Sequence, residues 1–111
     1  MKYGAWDTGG SVVKDDDRYI VKDNTELNNL VVSSTRLHAG KSTTGHRHAG
    51  QEEVYIFING SGKMELDQEI FEVHTGDTVL IKDNVFHKVH NTGDFMLEFI
   101  CVFDGRREQK K

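Results

Sequence analysis

The stretch GHRHAGQEEVYIFING, from Gly45 to Gly60, carries the strongest structural signal in the chain. It places His46 and His48 two residues apart. Side chains at positions i and i+2 of an extended strand point to the same face, so both imidazoles can reach one common partner. Imidazole is a frequent ligand of divalent transition metals, so the spacing fits a pair of metal ligands, although paired histidines are also common on protein surfaces.

A strand rich in β-branched and aromatic residues, EVYIFI, follows at Glu53–Ile58. Its alternation puts Glu53, Tyr55 and Phe57 on one face. If that face lines the interior of a barrel, Glu53 supplies a carboxylate inside an aromatic-walled cavity, although the neighbouring Glu52 is a competing acidic ligand. Two imidazoles and one carboxylate suit divalent manganese, iron, cobalt, nickel or zinc, and they leave coordination positions open for a substrate.

A third imidazole is available at His87, in the segment NVFHKVHN that follows a turn. A third histidine would hold the ion more firmly and still leave room for a substrate. Spacing along the chain does not show whether His87 lies near His46. His90 is out of phase with His87 and is expected to face solvent or to pair with the backbone.

Short strands make up the rest of the pattern. The segments YIVK, LNNLVVSSTRLH, GKMEL, EIFEV, TVLI, VFHKVH and FMLEFICVF are bounded by turn residues such as TGD, KDN and NTGD. A hairpin is predicted at Asp67–Gln68, and the run DDDR at Asp15–Arg18 is interpreted as an acidic loop. No segment shows a helical period over a dozen residues, so the chain is predicted to be an all-β barrel or sandwich.

Composition limits the class of protein. The 111 residues predict one domain, and the single cysteine, Cys101, permits no internal disulfide. With no apolar leader and no run of membrane-spanning length, we expect a cytoplasmic protein with no membrane partner. The last seven residues (105–111) carry four basic groups and one acidic group and are expected to form a flexible basic tail. The body before them has a net charge of −7, which argues against nucleic acid as a partner.

The histidine-containing stretch resembles the first motif of the cupins, which are small β-barrel metalloproteins. That motif reads glycine, five residues, His-x-His, three or four residues, glutamate, six residues, glycine. Gly40, His46, His48, Glu53 and Gly60 meet all five fixed positions. The six-residue interval before the last glycine selects Glu53 over its acidic neighbour.

A second cupin motif is met in part. It reads glycine, five residues, proline, one residue, glycine, two residues, histidine, three residues, asparagine. Gly76, His87 and Asn91 match, whereas Lys82 stands in place of the proline and Asn84 in place of the second glycine. Asparagine tolerates a positive φ better than most residues, so the turn at Asn84 is expected to survive.

The resemblance implies an all-β, single-domain cupin, a double-stranded β-helix or jelly-roll barrel, and it covers roughly Leu30 to Val102. It implies that one divalent transition metal (Mn, Fe, Ni, Co or Zn) binds inside the barrel to four side chains: His46, His48, Glu53 and His87. Residues 1–30 are not covered, and by analogy with other small cupins they are expected to add strands or an arm to the partner in a homodimer.

The resemblance also suggests chemistry on a small-molecule substrate. The leading expectation is isomerisation of a sugar or sugar phosphate, as in cupin-type mannose-6-phosphate or glucose-6-phosphate isomerases. The metal would act as Lewis acid, and Tyr55 or Glu53 would carry the proton. The alternatives are a lyase acting on small carboxylates, an iron-dependent dioxygenase, and a non-catalytic cupin that binds a sugar or another small ligand.

A phosphate-bearing substrate would need a cationic side chain at the mouth of the cavity. Arg47, Lys41, Lys82 and Lys88 are the candidates. Arg47 lies between the two histidines and alternates away from the ligand face, which weakens it.

Overall fold

The computed structural model describes residues 1–105, which form nine β-strands. The strands are β1 (Ser11–Asp15), β2 (Tyr19–Asn24), β3 (Leu30–Leu37), β4 (Glu53–Asn59), β5 (Ser61–Leu66), β6 (Glu69–His74), β7 (Thr78–Ile81), β8 (His87–His90) and β9 (Leu97–Asp104). Residues 1–105 contain no helix, and so none that is long and apolar enough to cross a membrane.

Two antiparallel sheets build the barrel. The larger has the strand order β1-β2-β3-β9-β4-β7, and the smaller has the order β6-β5-β8. The segment after β3 runs beside β8, through backbone bridges that pair Ser42 with His90 and His46 with His87. This arrangement confirms the predicted all-β jelly-roll fold.

Alternation along the strands sorts side chains between the interior and the surface. In β2 and β9 every second residue is buried, as expected when one face of a sheet packs on a core. The five largest fully buried side chains come from both sheets: Phe57, Phe99, Leu37, Met64 and Leu97. Beside this core lies a cavity of about 830 Å³.

The first thirty residues extend the chain's own sheet. β2 pairs with β3 along its whole length, and β1 pairs with β2 as the edge strand. The strand β1 was not anticipated, and only its last residue, Asp15, belongs to the predicted acidic loop. The rest of that loop is a bend in which Asp16 Oδ1 accepts hydrogen bonds from the backbone N–H groups of Arg18 and Tyr19.

Turn predictions agree with the backbone. The hairpin between β5 and β6 turns at Asp67–Gln68, and Asp67 has a φ of +50°. Asn84, which stands where cupins usually have glycine, has a φ of +64°, so asparagine does take up the left-handed conformation there. Apart from Gly105, the predicted basic tail lies outside the described residues.

Candidate metal centre

Three of the four predicted ligands converge in the lining of the cavity. The nitrogen and oxygen donor atoms of His48, Glu53 and His87 lie within 4.8 Å of one another. Glu53 Oε1 is 3.5 Å from Nε2 of His48 and 3.5 Å from Nε2 of His87. Ligand atoms that each lie about 2.1 Å from one ion are about 3.0 Å apart in an octahedral site and about 3.4 Å apart in a tetrahedral site. The donor set therefore fits a single divalent metal ion.

The strands bring these groups together from distant parts of the sequence. Glu53 opens β4 and faces inward between its sheet partners, Phe103 of β9 and Ile81 of β7. Its neighbour Glu52 is exposed, as the spacing to the motif glycine predicted. His87 opens β8, so the carboxylate from one sheet faces an imidazole from the other.

The first histidine segment is held against β8 by its backbone. The N–H of His46 donates to the carbonyl of His87 at 3.0 Å, and the N–H of His87 donates back at 2.8 Å. The N–H of Asn84 donates to the carbonyl of His48 at 3.0 Å. The left-handed turn at Asn84 thus helps to position a candidate ligand.

The surroundings of His87 favour the protonation state that a metal ligand needs. Its Nδ1 lies 3.1 Å from the carbonyl oxygen of Val85, which can only accept, so Nδ1 carries the proton. Nε2 then presents an electron pair towards Glu53. Burial lowers the pKa of His87, because the charged imidazolium is poorly solvated there. The hydrogen bond to Val85 acts to raise the pKa but offsets only part of this effect. The neutral form is therefore favoured.

His46 lies beside the three convergent groups but is not one of them. Its ring stacks on His48 with 5.4 Å between centroids and an angle of 19° between planes, and the residue is exposed. The shared face expected from the two-residue spacing is thus present. The role of His46 as a fourth ligand stays a prediction.

Tyr55, the other predicted catalytic residue, is part of the cavity wall. Its ring centroid is 5.8 Å from that of His87, and it stacks on Phe99 at 5.2 Å with an angle of 17°. These contacts hold the phenol ring next to the candidate ligands. Cys101, which is buried, lines the same cavity.

The remaining histidine of β8 belongs to a different cluster. His90 Nδ1 is 2.6 Å from the hydroxyl of Ser42, and Nε2 is 2.5 Å from a carboxylate oxygen of Glu65. An ionised carboxylate only accepts, so Nε2 donates to Glu65, and in the neutral ring Nδ1 then accepts from Ser42. The cluster ties the segment before His46 to the smaller sheet. The imidazole of His90 was expected to face solvent or to pair with the backbone, but its partners are two side chains.

The cations expected at the mouth of the cavity mostly lie elsewhere. Lys41, Lys82 and Lys88 are not among the described residues that line it. Arg47 contributes to the lining, but its guanidinium contacts a carboxylate oxygen of Asp67 at 3.6 Å and donates to a backbone carbonyl at 2.8 Å. The cation that sequence reasoning missed is Lys14, on the unanticipated strand β1.

Asp23 was also missed. It is a buried carboxylate on β2 that lines the cavity. The alternation of Tyr19, Val21 and Asp23 in YIVKDN could have placed it on the inward face. The predicted strand YIVK ended at Lys22, two residues before the end of β2.

The fold and the convergent His–Glu–His group define a jelly-roll barrel with a candidate metal site. The chain belongs to the cupin family, because the family model described as a cupin domain matches residues 33–103. An uncharacterized protein of Methanocaldococcus jannaschii is 33% identical over 94 residues, which cover 75% of each chain. An oxalate-binding protein of Thermotoga maritima is 30% identical over 67 residues, covering 60% of this chain and 55% of that protein.

Solved structures agree on the fold. KdgF from Halomonas sp. superposes with a TM-score of 0.77 at 18% identity, covering 89% of this chain and 91% of that one. Oxalate decarboxylase of Bacillus subtilis, a protein with Mn(II) centres, superposes with a TM-score of 0.75 at 19% identity, covering 84% of this chain and 27% of that one.

Proposed function

We propose that this cupin binds a small carboxylic acid at a divalent transition-metal ion and converts it by non-oxidative, lyase-type chemistry. One observation carries the proposal: two imidazole nitrogens and a carboxylate oxygen lie within 4.8 Å of one another in the cavity. A shared cation accounts for this convergence, with His46 as the proposed fourth ligand.

The class of substrate is supported by a relative and by coordination chemistry. The Thermotoga maritima relative is named an oxalate-binding protein. Carboxylate oxygens are ligands that divalent manganese, iron and zinc accept beside imidazole. A bound ion would supply Lewis-acid polarisation of the substrate's oxygen atoms.

Tyr55 is the better placed of the two predicted proton carriers. The Oε1 atom of Glu53 faces the imidazoles of His48 and His87 at 3.5 Å each, so its electron pairs are committed to the candidate metal centre. Tyr55 lines the same cavity and is held beside His87 by its stacking on Phe99. We therefore assign the transfer of a proton to or from the substrate to the hydroxyl of Tyr55.

The other expectations from the sequence stay predictions. These are the sugar or sugar-phosphate isomerase, the iron-dependent dioxygenase, the non-catalytic binding module, the homodimer and the cytoplasmic location. A dioxygenase would consume oxygen in the presence of Fe²⁺, whereas lyase chemistry would proceed with Mn²⁺ or Zn²⁺ without oxygen. A sugar isomerase would convert aldoses to ketoses and leave carboxylates unchanged.

The metal centre is tested by metal analysis of the purified wild type, of His48→Ala and of His74→Ala. His74 is exposed, and within residues 1–105 its imidazole pairs with the surface carboxylates of Glu72 and Asp77, so it is the matched control. We expect one ion per chain in the wild type and in His74→Ala, and a clear loss in His48→Ala. Metal at about 100 times its dissociation constant should stabilise the wild type by about 2.7 kcal/mol. Unchanged metal content in His48→Ala would overturn the assignment.

The chemistry is tested with a panel of small carboxylates, aldoses, ketoses and their phosphates, with and without oxygen. We expect turnover of a carboxylate without oxygen uptake. Tyr55→Phe should keep the metal and bind the carboxylate but lose most of the turnover. Turnover confined to sugars, or coupled to oxygen, would refute the lyase proposal.

A further inference from the structure

The edge strand β1 contains a β-bulge that changes the facing of Lys14. Ser11 and Val12 pair with Asp23 and Lys22, but beyond Val13 the register shifts. Lys14 then lies opposite Val21, a buried residue on the inward face of β2. Without the extra residue, Lys14 would lie opposite the residue that precedes Val21 in β2, and that residue faces outward. Bulges near sites commonly redirect a side chain in this way.

The redirected lysine reaches the cavity beside Tyr19. Its ammonium lies 3.4 Å from the hydroxyl of Tyr19 and 5.4 Å from the centroid of that ring. Tyr19 is buried, and it lines the cavity together with Thr44. An ammonium group, a phenol and a threonine hydroxyl therefore meet on the β1 side of the cavity.

The charge of Lys14 is not balanced by a carboxylate. Over residues 1–105, no acidic side chain makes an ion pair with Lys14 within 4 Å. Arg18, which lies 4.8 Å from the centroid of the Tyr19 ring, is paired with Asp16 at 3.2 Å, and its other terminal nitrogen donates a hydrogen bond to the hydroxyl of Thr44 at 2.8 Å. Of these two cations, Lys14 is the one that lines the cavity and makes no ion pair within residues 1–105.

The electrostatic environment at Tyr19 supports a site for negative charge. Burial acts to raise the pKa of Tyr19, but the hydrogen bond with Thr44 and the ammonium of Lys14 together bring the pKa below its usual value. The buried carboxylate of Asp23 lies four residues along β2 from Tyr19, about 13 Å away in an extended strand. A second negative charge beside Lys14 therefore avoids close repulsion from Asp23.

We propose that Lys14, Tyr19 and Thr44 form an anion subsite, so that the ligand of this cavity carries a second anionic group besides the carboxylate at the metal. This rests on the proposed function. Thr44 and His48 are four residues apart, at most about 13 Å of extended chain, so one ligand of several carbons can contact both ends. The cavity of about 830 Å³ lies in the upper part of the range of ligand sites, about 300–1,000 Å³, and exceeds the needs of a two-carbon acid.

Calorimetric titration of the metal-loaded protein tests the subsite with three probes of similar length. Butyrate has one carboxylate, succinate has two, and 3-phosphonopropionate replaces the second carboxylate by a phosphonate. We expect succinate or the phosphonate to bind about tenfold more tightly than butyrate, because the second anion gains a charge-assisted hydrogen bond. The stronger of the two identifies the second group as carboxylate or phosphate.

Lys14→Met should remove this preference and leave the affinity for butyrate and the metal content unchanged. Lys14→Arg should restore most of it. The control is Lys22→Met, on the neighbouring strand, where the lysine pairs with Asp7 at 2.9 Å and lies away from the cavity lining. A preference that survives in Lys14→Met, or equal weakening of all three probes, would overturn the subsite.

A second measurement separates the subsite from the proposed function. If no carboxylate binds to the metal-loaded wild type, the proposed function fails. The subsite is then decided by the thermal stabilisation that inorganic phosphate gives to chelator-treated protein. The subsite is supported if phosphate stabilises the wild type and Lys22→Met but not Lys14→Met. The subsite is refuted if phosphate has the same effect on all three proteins.

Discussion

Asn91, the last residue of the second motif, is expected to act through hydrogen bonds and not as a ligand. It is buried, and its amide nitrogen donates to the carbonyls of Leu37 at 2.9 Å and Phe95 at 2.8 Å. Its amide oxygen accepts from the N–H of Gly93 at 3.0 Å. One side chain therefore joins the end of β3 to the turn that leads into β9.

The cost of Asn91→Ala follows from the groups left without partners. A buried carbonyl or N–H without a partner costs about 1–3 kcal/mol. The bond to Leu37 is buried, and we assign it about 2 kcal/mol; the other two are partly accessible to water, and we assign each about 0.5 kcal/mol. The expected loss in the free energy of unfolding is about 3 kcal/mol, a large part of the stability of an ordinary domain.

Urea denaturation of chelator-treated protein, followed by circular dichroism, measures this loss without any contribution from metal. With a slope of about 1–3 kcal/mol per molar urea, the midpoint should fall by about 1–3 M. The matched control is Asn28→Ala, an exposed asparagine whose loss should change stability by less than about 0.5 kcal/mol. A loss below about 1 kcal/mol in Asn91→Ala would show that water or local relaxation satisfies the three groups, and the reasoning would be wrong.

Two further predictions concern pH and a glycine. Burial lowers the pKa of His87 below its ordinary value of 6.5, so below about pH 6.5 the unfolded chain binds more protons than the folded one. The urea midpoint of metal-free protein should therefore fall as the pH drops through this range, with a shallower slope in His87→Gln; an unchanged slope would contradict the assignment. Gly60→Ala should destabilise more than Gly76→Ala in the same assay. Both glycines have positive φ, +98° and +95°, but a Cβ at Gly60 would lie 2.8 Å from the carbonyl oxygen of Met96, whereas one at Gly76 would meet nothing within 4 Å. Gly76→Ala should lower the free energy of unfolding by about 1–2 kcal/mol through backbone strain alone. If Gly60→Ala and Gly76→Ala lower it equally, the contact with the Met96 carbonyl contributes nothing.

Local patterns in the sequence were sufficient for much of the fold. Alternation of apolar residues predicted eight of the nine strands, and the residues between β5 and β6 predicted their hairpin. The choice of Glu53 as the inward-facing glutamate came from the resemblance to the cupin motif, through its spacing from Gly60. These features depend on neighbours a few residues away, because the strand period and turn geometry are local properties.

Only the tertiary structure showed which side chains meet in the cavity, because those contacts depend on pairing between strands that are distant in the sequence. His48, Glu53 and His87 meet because the two sheets face each other, and the prediction of that meeting came from resemblance and not from spacing. Lys14 faces the cavity because of a register shift against β2, and a one-residue shift reverses every facing. Arg47 turns to Asp67, a partner that only the packing supplies. Strand register and side-chain pairing are non-local, so a single sequence reveals the ligand types but leaves their convergence to the fold.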